Sequence, residues 1–129
     1  MRAVLASALL FALAAGPASA TASIGCASAD DEASFDLAIG NLPILAVVGA
    51  FVRAGDRTFS TLEDEGELVL SGQAFGDGQS MRVDLTDSNV ERVVAEIRLW
   101  QAMEGDDYAL AGTLRVPGVG AWPVTCVGP

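Results

Sequence analysis

The chain of 129 residues contains no histidine, no lysine and only two cysteines. Without histidine there is no Ser-His-Asp triad, no Cys-His pair and no imidazole metal ligand. Without lysine there is no Schiff base, no Ser-Lys dyad and no Walker-type phosphate loop. Arginine is the sole basic residue, and seven arginines against 17 Asp and Glu leave a net charge of −10 at pH 7. Such a chain lacks the cationic footprint that nucleic-acid binding requires, and anionic membrane surfaces repel it. A cationic protein or a metal cation is attracted instead. Long apolar runs are also missing after the first twenty residues. The longest, Leu42 to Val52, spans eleven residues and contains Pro43 and Gly49. A membrane span needs about twenty.

What is present begins at the N-terminus. Arg2 supplies a positive start, Leu5 to Ala15 an apolar stretch, and Ala18-Ser19-Ala20 a small-residue cleavage box. Together these predict a secretory signal peptide over 1–20, with 21–129 as a single β-rich domain. The expected location is periplasmic or secreted. An oxidising compartment lets Cys26 and Cys126 pair. A lipid anchor on Cys26 competes with that reading. However, Ser23-Ile24-Gly25 is only partly like a lipobox, and the anchor would leave Cys126 without a partner.

Turn signals recur every eight to twelve residues, the spacing of an all-β sandwich or barrel. Phe35, Leu37 and Ile39 alternate with Asp36 and Ala38, as in a half-buried strand. Further strands are predicted over Ile44–Arg53, Arg57–Thr61, Glu67–Phe75, Ser80–Thr86, Tyr108–Val116 and Ala121–Val127. Gly76-Asp77-Gly78-Gln79 reads as a hairpin turn. The stretch after Asp87 is ambiguous. Ser88-Asn89-Val90-Glu91 is a capping box, and Gly105 is placed to end a helix. The spacing predicts a short helix over Ser88–Val94, then a strand over Ala95–Met103 with Ala95, Ile97, Leu99 and Met103 facing inward. One helix through Glu104 is the alternative. The expected fold is therefore a small antiparallel β-sandwich or barrel with one short helix, closed by a terminal disulfide.

Catalysis from this residue set would rest on carboxylates alone. A glycosidase-type pair needs one carboxyl with a raised pKa, usually through burial. The candidates at Glu63 to Glu67, at Asp84 and Asp87, and at Glu104 to Asp107 fall in turns or on outer faces. Calcium is a second option, since Asp84, Asp87, Asn89 and Glu91 lie close together. Their spacing does not match an EF-hand loop. No cofactor or metal site is expected. A binding surface is the third option. Strand alternation puts Trp100 on the face of Glu96 and Arg98, and an exposed tryptophan beside acidic loops suits a cationic protein partner. Burial in a second core layer is its alternative.

Ser71-Gly72-Gln73-Ala74-Phe75, followed by Gly76-Asp77-Gly78, is similar to the S-G-x-x-Y inhibitory loop of the C-type lysozyme inhibitor family, with Phe75 in place of tyrosine. The family's second motif, Y-x-x-x-T-K-G, is absent. The resemblance covers eight residues and implies a small eight-stranded barrel, with Ser71 inserted into a cationic lysozyme's cleft. The same residues are also explained as a strand end and a hairpin, and the resemblance is not adopted. The preferred reading is a non-catalytic binding or envelope-accessory domain with Trp100, Ser71 and Phe75 as candidate binding residues. A lysozyme-inhibitor-like protein and a carboxylate-only hydrolase are the alternatives.

Overall fold

The computed structural model describes residues 22–128. The predicted signal peptide lies outside the described residues. Nine strands follow one another along the chain: β1 (Ala22–Ala27), β2 (Ala33–Ile39), β3 (Val47–Ala54), β4 (Arg57–Ser60), β5 (Glu67–Gly76), β6 (Ser80–Asp87), β7 (Val93–Glu104), β8 (Asp107–Val116) and β9 (Gly120–Val127). They close into a barrel in sequence order, β9 returning to pair with β1. Among the described residues no helix is long and apolar enough to cross a membrane.

An odd number of strands cannot close by antiparallel pairing alone. Each antiparallel neighbour reverses the chain direction, and nine reversals do not return to the start. One parallel contact is therefore obligatory. It lies between β4 and β5, where only Phe59↔Glu67 and Ser60↔Leu68 are paired. The connecting loop, 61–66, carries the chain back along the barrel to start β5 beside β4. Gly66 makes that return possible: its φ is +150°, and a Cβ there would meet the Thr58 carbonyl oxygen at 2.8 Å. With the parallel contact placed there, β1 and β9 meet antiparallel and set Cys26 directly opposite Cys126. The two are joined by the expected disulfide.

Period-two alternation builds the core. Phe35 and Leu37 of β2, Val83 and Leu85 of β6, Ala95, Ile97 and Leu99 of β7, and Leu110, Leu114 and Val116 of β8 all point inward. Phe59, Ile24 and Val52 fill the space between them. The outward positions on the same strands carry the charges, so one face per strand is buried and register is tightly specified.

The predicted short helix over Ser88–Val94 does not form. Residues 88–92 make a turn between β6 and β7, and β7 begins at Val93 opposite Thr86. The Asp87 carboxylate accepts the Glu91 backbone N–H at 2.8 Å, a capping bond spent on the turn. Val90 sits at φ +59°, which stops a helix at its first turn. Two further expectations shift. The strand predicted from Ile44 starts at Val47, because 40–46 is a loop closed by the Gly40 N–H donating to the Ala46 carbonyl at 2.8 Å. Met103, expected inside, is 68% exposed. The β7–β8 hairpin continues past the filled barrel, pairing Met103 with Tyr108, so its last inward-phased residue has no core beneath it.

Candidate functional site

The outer face of β5, β6 and β7 carries two exposed large aromatics, Phe75 and Trp100, among polar and charged side chains. Strand register orders them in rows. One row runs Phe75, Arg82, Arg98, Thr113 and Pro123 across β5 to β9. A second pairs Ser80 with Trp100, two residues further along the strands. The row on the other side holds Gln73, Asp84, Glu96 and Arg115. Trp100 is 65% exposed and Phe75 60% exposed. A shallow open groove between them is lined by Gln73, Ser80, Arg82 and Arg98.

Electrostatics distinguishes the two arginines. The Arg98 guanidinium donates to the Asp84 carboxylate at 2.7 Å and to its neighbour's carbonyl, Ile97, at 2.9 Å. Arg115 is bound to Glu96 at 2.7 Å, Arg53 to Asp31 at 3.1 Å, and Arg57 to Glu67 at 2.6 Å. Arg92 approaches Asp87 at 3.9 Å. Arg82 has no carboxylate partner among the described residues and lies exposed on β6. It stands directly opposite Arg98, an arrangement that costs a few tenths of a kcal/mol or more. The fourth charge of the groove is Asp77, in the β5–β6 turn. Its carboxylate accepts the Ser80 and Gln79 backbone N–H groups at 2.7 and 2.9 Å and the Ser80 hydroxyl at 3.1 Å. Those hydrogen bonds, the Ser80 backbone bond foremost, hold Asp77 below the usual aspartate range and keep it ionised. Arg82 and Arg98 against Asp77 and Asp84 sum to zero, so the groove is locally neutral in a strongly acidic chain.

The residues expected from sequence divide. Trp100 lies on the outer face with Glu96 and Arg98, and the alternative of a second core layer does not arise in a single closed barrel. Phe75 shares the groove. Ser71 does not: it lies within β5 opposite Leu85, in the row that elsewhere faces inward, and a bulge at Gly72 separates it from Gln73 and Phe75. Ser71 to Phe75 are strand rather than loop. Cys26 and Cys126 serve only the seam, and both sulfurs are taken by the disulfide. Gln73 escaped notice in the sequence, and Arg82 is legible there only as outward, with Asp84, opposite the inward phase of Val83 and Leu85. Alternation alone marks Arg82 as outward, but only the β6·β7 register puts it beside Trp100.

Every carboxylate side chain among the described residues is exposed or half-buried. Among the described residues the buried polar side chains are Ser28, Ser60 and Thr86, and none is acidic. Asp30 is held low by the Ser28 hydroxyl and the Glu32 backbone N–H, a shift away from general-acid duty. Of the calcium candidates, Asp84 is engaged by Arg98 and Asp87 caps Glu91. Among the described residues no group of three or more Cys, Asp or Glu is arranged to hold a metal ion. At one mouth of the barrel a small cavity is rimmed by Arg57, Glu67, Asp87 and Arg92, but those charges are mutually paired. No family model, curated protein or solved structure was found to match the chain.

Proposed function

We propose that the protein is an exported binding module without catalytic activity, and that its ligand or partner docks on the outer face of β5–β7 around Trp100 and Phe75. The observation that carries the reading is a pair of large aromatics held in water on rigid strands, flanking an arginine with no carboxylate partner. Aromatic side chains bury 150–250 Å² or so when covered, worth roughly 4–6 kcal/mol at ~25 cal/mol per Å². The fold sets both positions outside but does not require an aromatic at either. Strand-borne positions also favour binding over accident, because their geometry is fixed before the ligand arrives. Export is supported by the leader-like first twenty residues together with the disulfide, which persists in oxidising compartments. The absence of catalysis is supported by the missing histidine and lysine and by the lack of a buried carboxylate among the described residues.

The test is comparative capture. The disulfide-intact domain is immobilised and exposed to an extract of the compartment into which it is exported. In parallel the Phe75→Ala/Trp100→Ala double variant is treated in the same way. Species retained by the first and lost by the second identify the face as the docking site. Retention of the same species by both, with unchanged melting temperatures, overturns the assignment.

A further inference from the structure

Resting on that assignment, we propose that the ligand is a short acidic oligosaccharide, with one sugar stacked on the Trp100 indole and a carboxylate of the chain held by Arg82.

Four features of the groove lead to this class. A pyranose ring has an apolar C–H face and a polar hydroxyl rim. Trp100 offers a flat apolar surface, with the Ser80 hydroxyl opposite it on β6 and the Asp77 carboxylate in the adjoining turn as polar partners. Asp77, kept ionised by the turn, is a fixed acceptor for sugar hydroxyls. The two aromatics are also well spaced. Phe75 on β5 and Trp100 on β7 are two strand intervals apart and offset by two residues, so their backbones are roughly 12 Å apart and their rings further, because outward side chains diverge on a closed barrel. That distance suits a short chain of sugars and exceeds one ring.

The count of free cations decides the rest. A polyanion with closely spaced phosphates needs several lysines or arginines to neutralise it. Of the groove's two arginines, Arg98 is already held by Asp84, and Arg82 has no carboxylate partner among the described residues. One guanidinium matches one isolated carboxylate through a bidentate, charge-assisted contact. An acidic protein would bring its whole field against a chain of net charge −10, whereas a short saccharide brings little. The groove is the place where such an anion can approach, because its own four charges cancel.

The experiment is an NMR titration of the isotopically labelled, disulfide-intact protein with an acidic tetramer (three galactoses and one galacturonic acid), the neutral galactose tetramer and a glutamate-rich hexapeptide. The expected result is a set of shifts confined to Phe75, Arg82, their neighbours and the Trp100 indole N–H. The acidic tetramer should bind about tenfold more tightly than the neutral one, and Arg82→Gln should remove that difference. High salt should weaken the acidic tetramer only. Equal affinity for both tetramers, or an Arg82→Gln variant that still discriminates, overturns the proposal. So does the absence of shifts with either sugar at millimolar concentration. A hexapeptide that shifts these residues while the sugars do not rejects the saccharide and leaves the surface standing. Shifts elsewhere on the barrel, with capture unaffected by the double alanine variant, reject both.

Discussion

Reducing the disulfide should cost this domain a large part of its stability. The β1·β9 seam contains three paired positions, Gly25↔Val127, Cys26↔Cys126 and Ala27↔Thr125, whereas β7 and β8 share nine. The seam is also the most non-local contact in the fold, since the bridge links residues 100 apart in sequence. The chain-entropy relation assigns a loop of that length about 4.7 kcal/mol at 25 °C. A domain of this size has an unfolding entropy of roughly 0.2 kcal/mol per kelvin, so the loss corresponds to a fall in Tm of roughly 20 °C. Three ladder positions at about 1 kcal/mol or less each cannot offset it.

Thermal melts followed by circular dichroism, with and without a phosphine reductant, measure the effect. Reduction leaves both sulfur atoms in place, so packing around the buried Cys26 is preserved. A Cys26→Ala/Cys126→Ala variant gives an independent value, larger only by the cost of a small cavity, about 1 kcal/mol. Amide exchange should show β1 and β9 opening first in the reduced protein while β6 to β8 stay protected. A fall in Tm below about 5 °C, or exchange that rises uniformly over all nine strands, would refute the view that this bond holds the barrel shut.

Other perturbations follow from particular contacts. A Cβ at Gly112 would run into the Arg98 carbonyl on the neighbouring strand, so Gly112→Val should destabilise by about 3 kcal/mol or more, or abolish folding. This is read as a loss of soluble yield or a melting temperature lower by over ten degrees or so. Val90 holds a φ of +59° at an exposed turn position, so Val90→Asn should raise stability by about 1 kcal/mol in chemical denaturation. Because Asp77 is held below the ordinary aspartate pKa, its bonds to Gln79 and Ser80 contribute fully above about pH 4 and are lost as the pH falls through the lowered value. Asp77→Asn should speed amide exchange at those two residues at neutral pH, and wild type should match it only in acid. Trp100→Ala should leave stability within ~0.5 kcal/mol, since the ring covers no core. A larger loss would mean that the indole is structural.

Strand content was legible because burial on one face writes a two-residue period into the chain. Val83 and Leu85 inward, with Arg82 and Asp84 outward, could be assigned before any coordinates. The helix expected over Ser88–Val94 failed for the opposite reason. A capping box is a local signal, worth about a kcal/mol. Against it stood the pairing of Val93 with Thr86 and of Ala95 with Leu85, which extends β7 across the whole sheet. Non-local ladder bonds and core burial of Ala95, Ile97 and Leu99 outweigh one cap, and Val90 yields its backbone geometry to the turn. The choice between sandwich and barrel was not legible, since both write the same alternation. What decides it is a two-residue parallel contact between β4 and β5, and that depends on how loop 61–66 folds back.

The candidate site shows a similar division. Trp100 could be placed outside because Glu96 and Arg98 share its phase on β7. Phase alone cannot say which arginine is free. Arg82 and Arg98 are both outward, and each stands between two apolar residues that face inward. Register breaks the tie by laying the two side by side, and Asp84 then closes on Arg98, whose guanidinium is also fixed by the Ile97 carbonyl. The remaining arginine cannot share that carboxylate without displacing a 2.7 Å bond. Among the described residues Arg82 is the arginine left without a carboxylate partner, and it lies between Phe75 and Trp100, two of the exposed aromatics. On the proposed reading, an anion supplied from outside completes the set that the chain's own carboxylates leave open.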